Sequence, residues 1–173
     1  MDTDIKIAGI IKESIVDGPG IRLVVFTQGC VHNCIGCHNP ETHSFSEGHY
    51  ISTEEILEMV KENPLLDGIT LSGGEPFHQG RNCAILANEV KAMGLNVITY
   101  TGYTFEEIVN EMEINKSWED LLLATDILID GKFDIDKKSM LLKFRGSKNQ
   151  RIIDVKKSLD NMAQGRFVCH LLG

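Results

Sequence analysis

The strongest constraint on the fold of this chain is an alternation of short apolar runs with helical patterns. Such near-continuous apolar runs are typical of parallel strands that are buried on both faces. From the second run onward, the starts lie 25 to 30 residues apart. A further segment, residues 5–16, is expected to pair with the first run through the turn Asp17-Gly18-Pro19-Gly20. The runs are residues 21–26, 68–71, 96–100, 126–129 and 151–155.

Helical signals fill the gaps between these runs. Ser52 is followed three residues later by Glu55, and Thr104 by Glu107, which is the capping-box pattern at the start of a helix. Residues 81–93 predict a further helix, ended by a glycine. Because it belongs to this helix, Cys83 is interpreted as a core residue. The apolar face of the helix is expected to consist of Cys83, Leu86, Val90 and Met93.

Strand–helix–strand units of this kind build parallel sheets with right-handed crossovers. The 173 residues are too few for a complete eightfold barrel of about 250 residues. We therefore expect an α/β fold, a partial (open) parallel β/α barrel. It should form a single domain over residues 1–173, with its core at about 5–155 and a C-terminal tail at about 156–173.

Composition excludes several classes of protein. The net charge is −8, from 17 Lys+Arg against 25 Asp+Glu, which argues against a general nucleic-acid binder. No run approaches the ~20 apolar residues of a membrane helix, and the acidic first four residues lack the apolar stretch of a secretory signal. We expect a cytoplasmic protein with reduced thiols, and neither nucleic acid nor membrane as a partner.

The charge is uneven along the chain. Residues 132–157 carry nine basic and three acidic side chains. Such a segment is either a solvated face or a docking surface for an acidic partner. The candidate docking residues are Lys137, Lys138, Lys143, Arg145, Lys148 and Arg151.

Three of the five cysteines, Cys30, Cys34 and Cys37, fall within eight residues. In a reducing compartment, clustered cysteines indicate metal ligands. A zinc site would need a fourth ligand, for which His32 and His38 are available, but no second ligand pair follows. An iron–sulfur cluster usually takes four cysteines, so three would leave one iron open to a substrate or cosubstrate.

Glycine-containing polar motifs directly follow four of the strand runs. The active sites of parallel α/β folds form at the carboxyl ends of strands, so the motifs predict one shared site. In the second motif, two glycines let the backbone approach a ligand, and Glu75 could accept a hydrogen bond from an amine. Alone, that motif is equally typical of a tight turn. The motifs are Gly29-Cys30, Ser72-Gly73-Gly74-Glu75, Thr101-Gly102-Tyr103 and Asp130-Gly131-Lys132.

The cysteine triplet followed by Ser72-Gly73-Gly74-Glu75-Pro76 resembles the radical S-adenosylmethionine enzymes, and more narrowly the glycyl-radical activating enzymes. Five stretches resemble the branch that serves anaerobic ribonucleoside-triphosphate reductases, in order over about residues 5 to 155. Many radical enzymes carry an aromatic residue just before the third cysteine, where this chain has Gly36. The five stretches are residues 17–22, 29–39, 100–103, 129–133 and 145–151.

The resemblance implies a partial barrel of the radical S-adenosylmethionine type. It also implies that Cys30, Cys34 and Cys37 hold a [4Fe–4S] cluster whose fourth iron chelates S-adenosylmethionine. Gly73 and Glu75 would lie near the amine of this cosubstrate. The residues implied to bind it are Gly36, Cys37, His38, Gly73, Gly74, Glu75, Thr101, Asp130 and Lys132.

The implied activity is reductive cleavage of S-adenosylmethionine to methionine and a 5′-deoxyadenosyl radical, which takes hydrogen from a glycine Cα of the anaerobic (class III) reductase. A low-potential carrier such as flavodoxin or ferredoxin would supply the electron. One alternative is activation of another glycyl-radical enzyme, such as pyruvate formate-lyase. Others are a small-molecule radical enzyme of the deazaguanine synthase type, and a non-catalytic zinc or cluster-binding module.

Two remaining features have simpler interpretations. Trp118 lies in a polar stretch after the third helix and is expected to be a packing residue. Cys169 and His170 form a weak candidate for a second metal site.

Overall fold

The computed structural model describes residues 2–165 and 170–172. Its strands are β1 (Asp4–Ser14), β2 (Arg22–Thr27), β3 (His49–Ser52), β4 (Gly68–Gly73), β5 (Asn96–Tyr100), β6 (Ile127–Asp130), β7 (Arg151–Asp154) and β8 (His170–Leu171). The α-helices are α1 (Thr53–Lys61), α2 (Gly80–Ala92), α3 (Phe105–Met112), α4 (Lys116–Ala124) and α5 (Val155–Ala163). Short 3-10 turns lie at Pro40–Thr42, Pro76–Gln79 and Ile135–Lys137.

All eight of these strands belong to one sheet, in the order β3-β1-β2-β4-β5-β6-β7-β8. The four central strands, β2, β4, β5 and β6, are parallel to one another. Helix α2 connects β4 to β5, and α3 with α4 connect β5 to β6, so the central sheet is built from strand–helix–strand units. The sheet ends in the short strands β3 and β8 and is not closed. The expected α/β fold with an open, parallel-rich sheet is confirmed.

The two flanks of the sheet are antiparallel. On one side β1 pairs with β2, as expected from the turn that joins them. On the other side β7 runs antiparallel to β6, so the expectation of a fifth parallel strand is wrong. The reason is the connection: residues 131–150 contain a single 3-10 turn and no α-helix. The chain therefore stays at the carboxyl edge of the sheet and enters β7 from there.

Local capping signals correctly locate two helix starts. Ser52 and Thr104 each accept a hydrogen bond from the backbone of the glutamate three residues on, and that glutamate's side chain accepts from the capping residue's N–H. In α2, Cys83, Leu86 and Val90 are fully buried as predicted. Met93 is 37% exposed, so its place on the apolar face is wrong. The cause is that the helix ends at Ala92 and Met93 is its C-cap.

Helix α4 has no counterpart among the predicted elements. Asn115 caps it by accepting from the Trp118 N–H, and Leu121 and Leu122 bury their side chains in the core. Trp118 packs against Phe77 and Tyr103, with ring centroids 5.5 and 4.6 Å away, which confirms its packing role. In the part of the chain that the structure covers, no helix has both the length and the apolar character needed to cross a bilayer.

Candidate functional site

A cavity of about 480 Å³ lies at the carboxyl ends of β2, β4 and β5. Its walls come from the loops that follow these strands and from the segment between β6 and β7. The glycine-containing motifs were expected to meet at this edge, and they do. The predicted site residues that line the cavity are Cys30, Cys34, Cys37, His38, Gly73, Gly74 and Thr101.

The cysteine loop, which we define as residues 30–37, presents three free thiols to this cavity. Cys30 is buried, and Cys34 and Cys37 are half-buried. A turn closes the loop, since the Cys37 N–H donates to the Cys34 carbonyl at 3.1 Å. Burial raises the pKa of the Cys30 and Cys37 thiols. Metal binding at this loop must therefore displace protons, because thiolates are the ligating form.

The three thiols share a cavity without meeting at a point. Within residues 2–165 and 170–172, no three His, Cys, Asp or Glu side chains converge closely enough to hold a single metal ion. Cys83 is fully buried in α2, and burial raises the pKa of its thiol to about 12. Cys169 and the side chain of His170 lie outside the described part of the structure.

Gly73 and Gly74 lie directly against the backbone at the end of β2. Gly73 has a φ of +88°, and a Cβ there would lie 2.5 Å from the backbone nitrogen of Thr27. A Cβ on Gly74 would lie 2.4 Å from the carbonyl oxygen of Gly29. No side chain fits at either position, so the turn is a close contact between two strand ends that also exposes backbone to the cavity.

The Glu75 side chain is fully buried and does not line the cavity. Its carboxylate oxygens lie 2.7 Å from His32 Nε2 and 2.9 Å from Thr101 Oγ1, which donates to it. The backbone N–H groups of Gly102 and Phe77 also donate to it, at 2.9 and 3.1 Å. The loops after β2, β4 and β5 are thus joined at one carboxylate, a role that the sequence motif alone did not suggest.

Three other predicted site residues do not line the cavity: Gly36, Asp130 and Lys132. Asp130 is buried and accepts hydrogen bonds from Phe105 N at 2.8 Å and from Arg151 Nε at 3.1 Å. Lys132 is exposed, and its carbonyl accepts from the Asn149 side chain at 2.7 Å.

The structure explains why a glycine, Gly36, stands before the third cysteine. Gly36 has a φ of +74°, and a Cβ there would lie 2.8 Å from Ile135 Cδ1 and 3.4 Å from Phe133. Phe133 lines the cavity and lies 5.2 Å from the His38 ring, centroid to centroid. An aromatic ring therefore reaches this side of the cavity from the loop after β6. The stretch at residues 129–133 contained Phe133, but sequence reasoning did not single it out.

The segment between β6 and β7 forms one wall of the cavity, which sequence reasoning also missed. Met140, Leu142 and Phe144 line it, and the Tyr100 hydroxyl donates to the Phe144 carbonyl. The Gln150 side chain holds the base of the segment, since it donates to the Gly131 carbonyl at 3.0 Å and accepts from Gly146 N at 2.8 Å. The signal available in the sequence was the stretch at residues 145–151.

Of the basic residues proposed for docking, Lys138 and Arg145 line the cavity itself. Arg151 forms ion pairs with Asp130 and Glu106 within the chain, and Lys137 forms an exposed pair with Asp134 at 3.6 Å. Asp130 and Glu106 raise the pKa of Arg151. The guanidinium of Arg151 is thus part of the packing between β6, β7 and α3.

The family described as a 4Fe-4S single cluster domain matches residues 16–153 of this chain. An anaerobic ribonucleoside-triphosphate reductase-activating protein from Vibrio cholerae is 37% identical over 146 residues, which are 80% of this chain and 90% of that protein. A protein of the same name from Pasteurella multocida is 37% identical over 147 residues, with the same coverage of 80% and 90%.

A pyruvate formate-lyase-activating enzyme from Staphylococcus epidermidis is 34% identical over 166 residues, which are 91% of this chain but 64% of that enzyme. Among solved structures, QueE from Escherichia coli matches with a TM-score of 0.44 and 16% identity, over 60% of this chain and 55% of that one. A likeness at that level says nothing about the site. The match to the domain family agrees with the matches to relatives that align over 90% of their own length. The chain belongs to the anaerobic ribonucleoside-triphosphate reductase-activating proteins, a family of iron–sulfur enzymes of the radical S-adenosylmethionine type.

Proposed function

We propose that this chain generates a glycyl radical in an anaerobic ribonucleoside-triphosphate reductase, using a [4Fe–4S] cluster and S-adenosylmethionine. One observation carries the proposal: three thiols and the Gly73-Gly74 turn line the same cavity. The named activity of relatives that align over 90% of their length supports the choice of partner.

Cys30, Cys34 and Cys37 would hold the cluster. A donor set of thiols alone is what iron–sulfur clusters take. Thiolates around a four-iron cluster bind different irons, so they share a cavity and need not converge on one point, in agreement with the arrangement described above. With three protein ligands, one iron is left for the cosubstrate. When bound, these groups supply the reductive cleavage to methionine and a 5′-deoxyadenosyl radical, which takes the glycine hydrogen.

The role of the protein is to bind and orient the cosubstrate and to exclude water from the cavity. Gly73 and Gly74 expose backbone to the cavity, while His38 and Thr101 offer polar side chains in it. We assign the cosubstrate to this wall, opposite the segment between β6 and β7. Glu75 supports the wall from behind, because its carboxylate is already bonded to four donors.

The target glycine must enter this cavity, since its Cα is part of the partner's backbone. The mouth of the cavity carries exposed apolar side chains, with Val16 72% and Met140 86% exposed. A glycine offers no side chain for recognition, so affinity must come from surfaces further out. Lys137, Lys143 and Lys148 are exposed on the segment that walls the cavity, and we propose that they contact an acidic surface of the reductase.

Activation of pyruvate formate-lyase is the second candidate, because relatives with that name align over 91% of this chain. The chain spans only 64% of their length, against 90% of the reductase-activating proteins. The identity is 37% to the reductase-activating proteins from Vibrio cholerae and Pasteurella multocida and 34% to the Staphylococcus epidermidis enzyme, which favours the reductase. We further propose that a low-potential carrier such as flavodoxin or ferredoxin reduces the cluster.

Anaerobic reconstitution with iron and sulfide, followed by reductant and S-adenosylmethionine, tests the partner directly. The reductase and pyruvate formate-lyase are supplied in parallel samples, and each is examined by EPR. The proposal predicts a glycyl doublet with the reductase that requires every component. A doublet with formate-lyase alone would replace the proposal with the second candidate, and no doublet with either would refute both.

A further inference from the structure

We propose that His32 is a positioning residue. Through its hydrogen bond to Glu75, it fixes the cysteine loop relative to the Gly73-Gly74 turn, and so sets where the cosubstrate binds with respect to the three thiols. The inference rests on the proposed function, because it assigns a task to a residue of the same site.

The bond is short and withdrawn from water. His32 Nε2 lies 2.7 Å from Glu75 Oε2, and the two side chains are 4% and 0% exposed. A hydrogen bond between buried polar groups is electrostatically stronger than one in water, and its loss leaves a buried group without a partner. His32 itself stands between Cys30 and Cys34, so its position is tied to that of two thiols.

This bond is the link between the middle of the cysteine loop and the rest of the sheet. Glu75 takes its other three donors from Phe77, Thr101 and Gly102, in the loops after β4 and β5. Among the hydrogen bonds of the described residues, those that join residues 31–36 to residues outside the cysteine loop run through His32. Cys30 is also held by its own N–H, which donates to the His43 carbonyl at 3.1 Å, so Cys34 is the thiol that depends on this side chain for its placement against the opposite wall.

Close contacts with neighbouring residues fix the orientation of the His32 imidazole ring. A Cβ on Gly102 would lie 2.3 Å from His32 Cδ2, so only glycine allows this approach. On another side, the ring meets Tyr103 edge-on, with centroids 4.5 Å apart. Because the ring cannot swing, the direction of its bond to Glu75 is fixed, as expected of a group that orients others.

Loss of the His32–Glu75 hydrogen bond is expected to weaken cosubstrate binding while the cluster is retained. All three thiols remain when His32 is replaced, so iron can still be held. The middle of the loop, residues 31–36, is then free to shift against the Gly73-Gly74 turn, which misaligns the two halves of the binding site. Substitution of residues that orient ligands from behind typically costs 10–100-fold in affinity or activity.

The test uses the reconstituted full chain with three substitutions. His32→Phe keeps an aromatic ring but removes the donor, and His32→Gln restores a donor close to the position of Nε2. His78→Phe is the matched control, because the His78 side chain lies 3.3 Å from the Tyr103 hydroxyl, and its contact with Glu75 is a backbone hydrogen bond that the substitution keeps. The readouts are iron content, thermal midpoint of the iron-free protein, and the dissociation constant of S-adenosylmethionine from the change it causes in the EPR spectrum of the reduced cluster.

We expect His32→Phe to weaken S-adenosylmethionine binding by about tenfold or more, with iron content unchanged. His32→Gln and His78→Phe should bind as the wild type does. Gly102→Ala, which displaces the ring without changing it, should reproduce the loss if His32→Phe fails to fold.

Unchanged binding in His32→Phe would overturn the inference, as would loss of iron in that variant or failure of His32→Gln to restore binding. A wild-type chain that assembles no cluster, or whose cluster does not respond to S-adenosylmethionine, would instead refute the proposed function. The two failures are thus distinguishable.

Discussion

Asp130 on β6 and Arg151 on β7 are register partners across an antiparallel strand pair, and Arg151 Nε lies 3.1 Å from Asp130 Oδ1. The carboxylate is 1% exposed and also accepts from the N–H of Phe105, the first residue of α3. Arg151 extends further to Glu106, at 2.7 Å. One buried carboxylate thereby joins two strands and a helix beside the site.

Asp130→Asn should therefore reduce stability more than it reduces cosubstrate affinity. Removing one member of a buried ion pair costs about 3 kcal/mol or more, and the loss here should lie at the low end because Arg151 keeps its ion pair with Glu106. Denaturant unfolding of the iron-free protein measures this loss. Glu106→Gln is the matched control: the Glu106 side chain is 58% exposed, so its loss should cost less than about 1 kcal/mol. A stable Asp130→Asn variant that no longer binds S-adenosylmethionine would contradict this role.

The close approach of the Gly73-Gly74 turn to β2 is tested by Gly73→Ala. The new Cβ would lie 2.5 Å from Thr27 N at a φ of +88°, so both strain and a backbone clash are expected. Gly94→Ala is the control, because its φ is +82° and nothing lies within 4 Å of the added carbon. The control should lose about 1–2 kcal/mol from strain, and Gly73→Ala clearly more in the same unfolding experiment. Equal losses would remove the evidence for close backbone contact.

The buried thiol of Cys83 makes stability depend on alkaline pH. Burial raises its pKa from 9.0 to about 12. Below pH 9 the thiol is protonated in both the folded and the unfolded states, so its contribution is complete. Above pH 9 the unfolded state loses this proton first, and stability falls by up to about 1.4 kcal/mol per pH unit as the pH rises towards 12.

Cys83→Ala should accordingly show a shallower fall in unfolding free energy between pH 9 and pH 10.5 than the wild type. Other titrating groups are common to both proteins, so the difference between the two curves isolates this thiol. Parallel curves over that range would show that Cys83 is not shielded from water as described.

Segments of the fold could be predicted wherever the signal was local. The two capping boxes at Ser52 and Thr104 gave correct helix starts because all their donors and acceptors lie within four residues. The antiparallel direction of β7 was not predicted. It depends on the absence of a helix over residues 131–150, and the apolar content of the strand gives no information about that connection.

The candidate site was likewise predictable only in part. The placement of the thiols with Gly73 and Gly74 follows from strand ends meeting at one edge of a parallel sheet. The bonds that saturate Glu75 join residues up to 43 positions apart, so no motif spacing could reveal them. Phe133 was missed for a related reason, since its contact with His38 crosses from one loop to another.

The docking surface is tested by reversing the charges of Lys137, Lys143 and Lys148 together. We expect weaker activation of the reductase, relieved by raising its concentration, and unchanged binding of S-adenosylmethionine, because these side chains do not line the cavity. Reversal of Lys156 and Lys157 on α5 is the control, since α5 begins at the opposite end of β7. Equal effects of the two sets on activation would contradict a localised docking surface.

The central claim is that Cys30, Cys34 and Cys37 hold one cluster with an iron open to cosubstrate. The most direct measurement is EPR of the reduced, reconstituted protein with and without S-adenosylmethionine, in single alanine variants of these cysteines and of Cys83. The account predicts a [4Fe–4S] signal that changes on addition of S-adenosylmethionine in the wild type and in Cys83→Ala. That signal should be lost in each variant of the triplet. A complete cluster that survives removal of any one of the three, or that disappears with Cys83, would contradict the account.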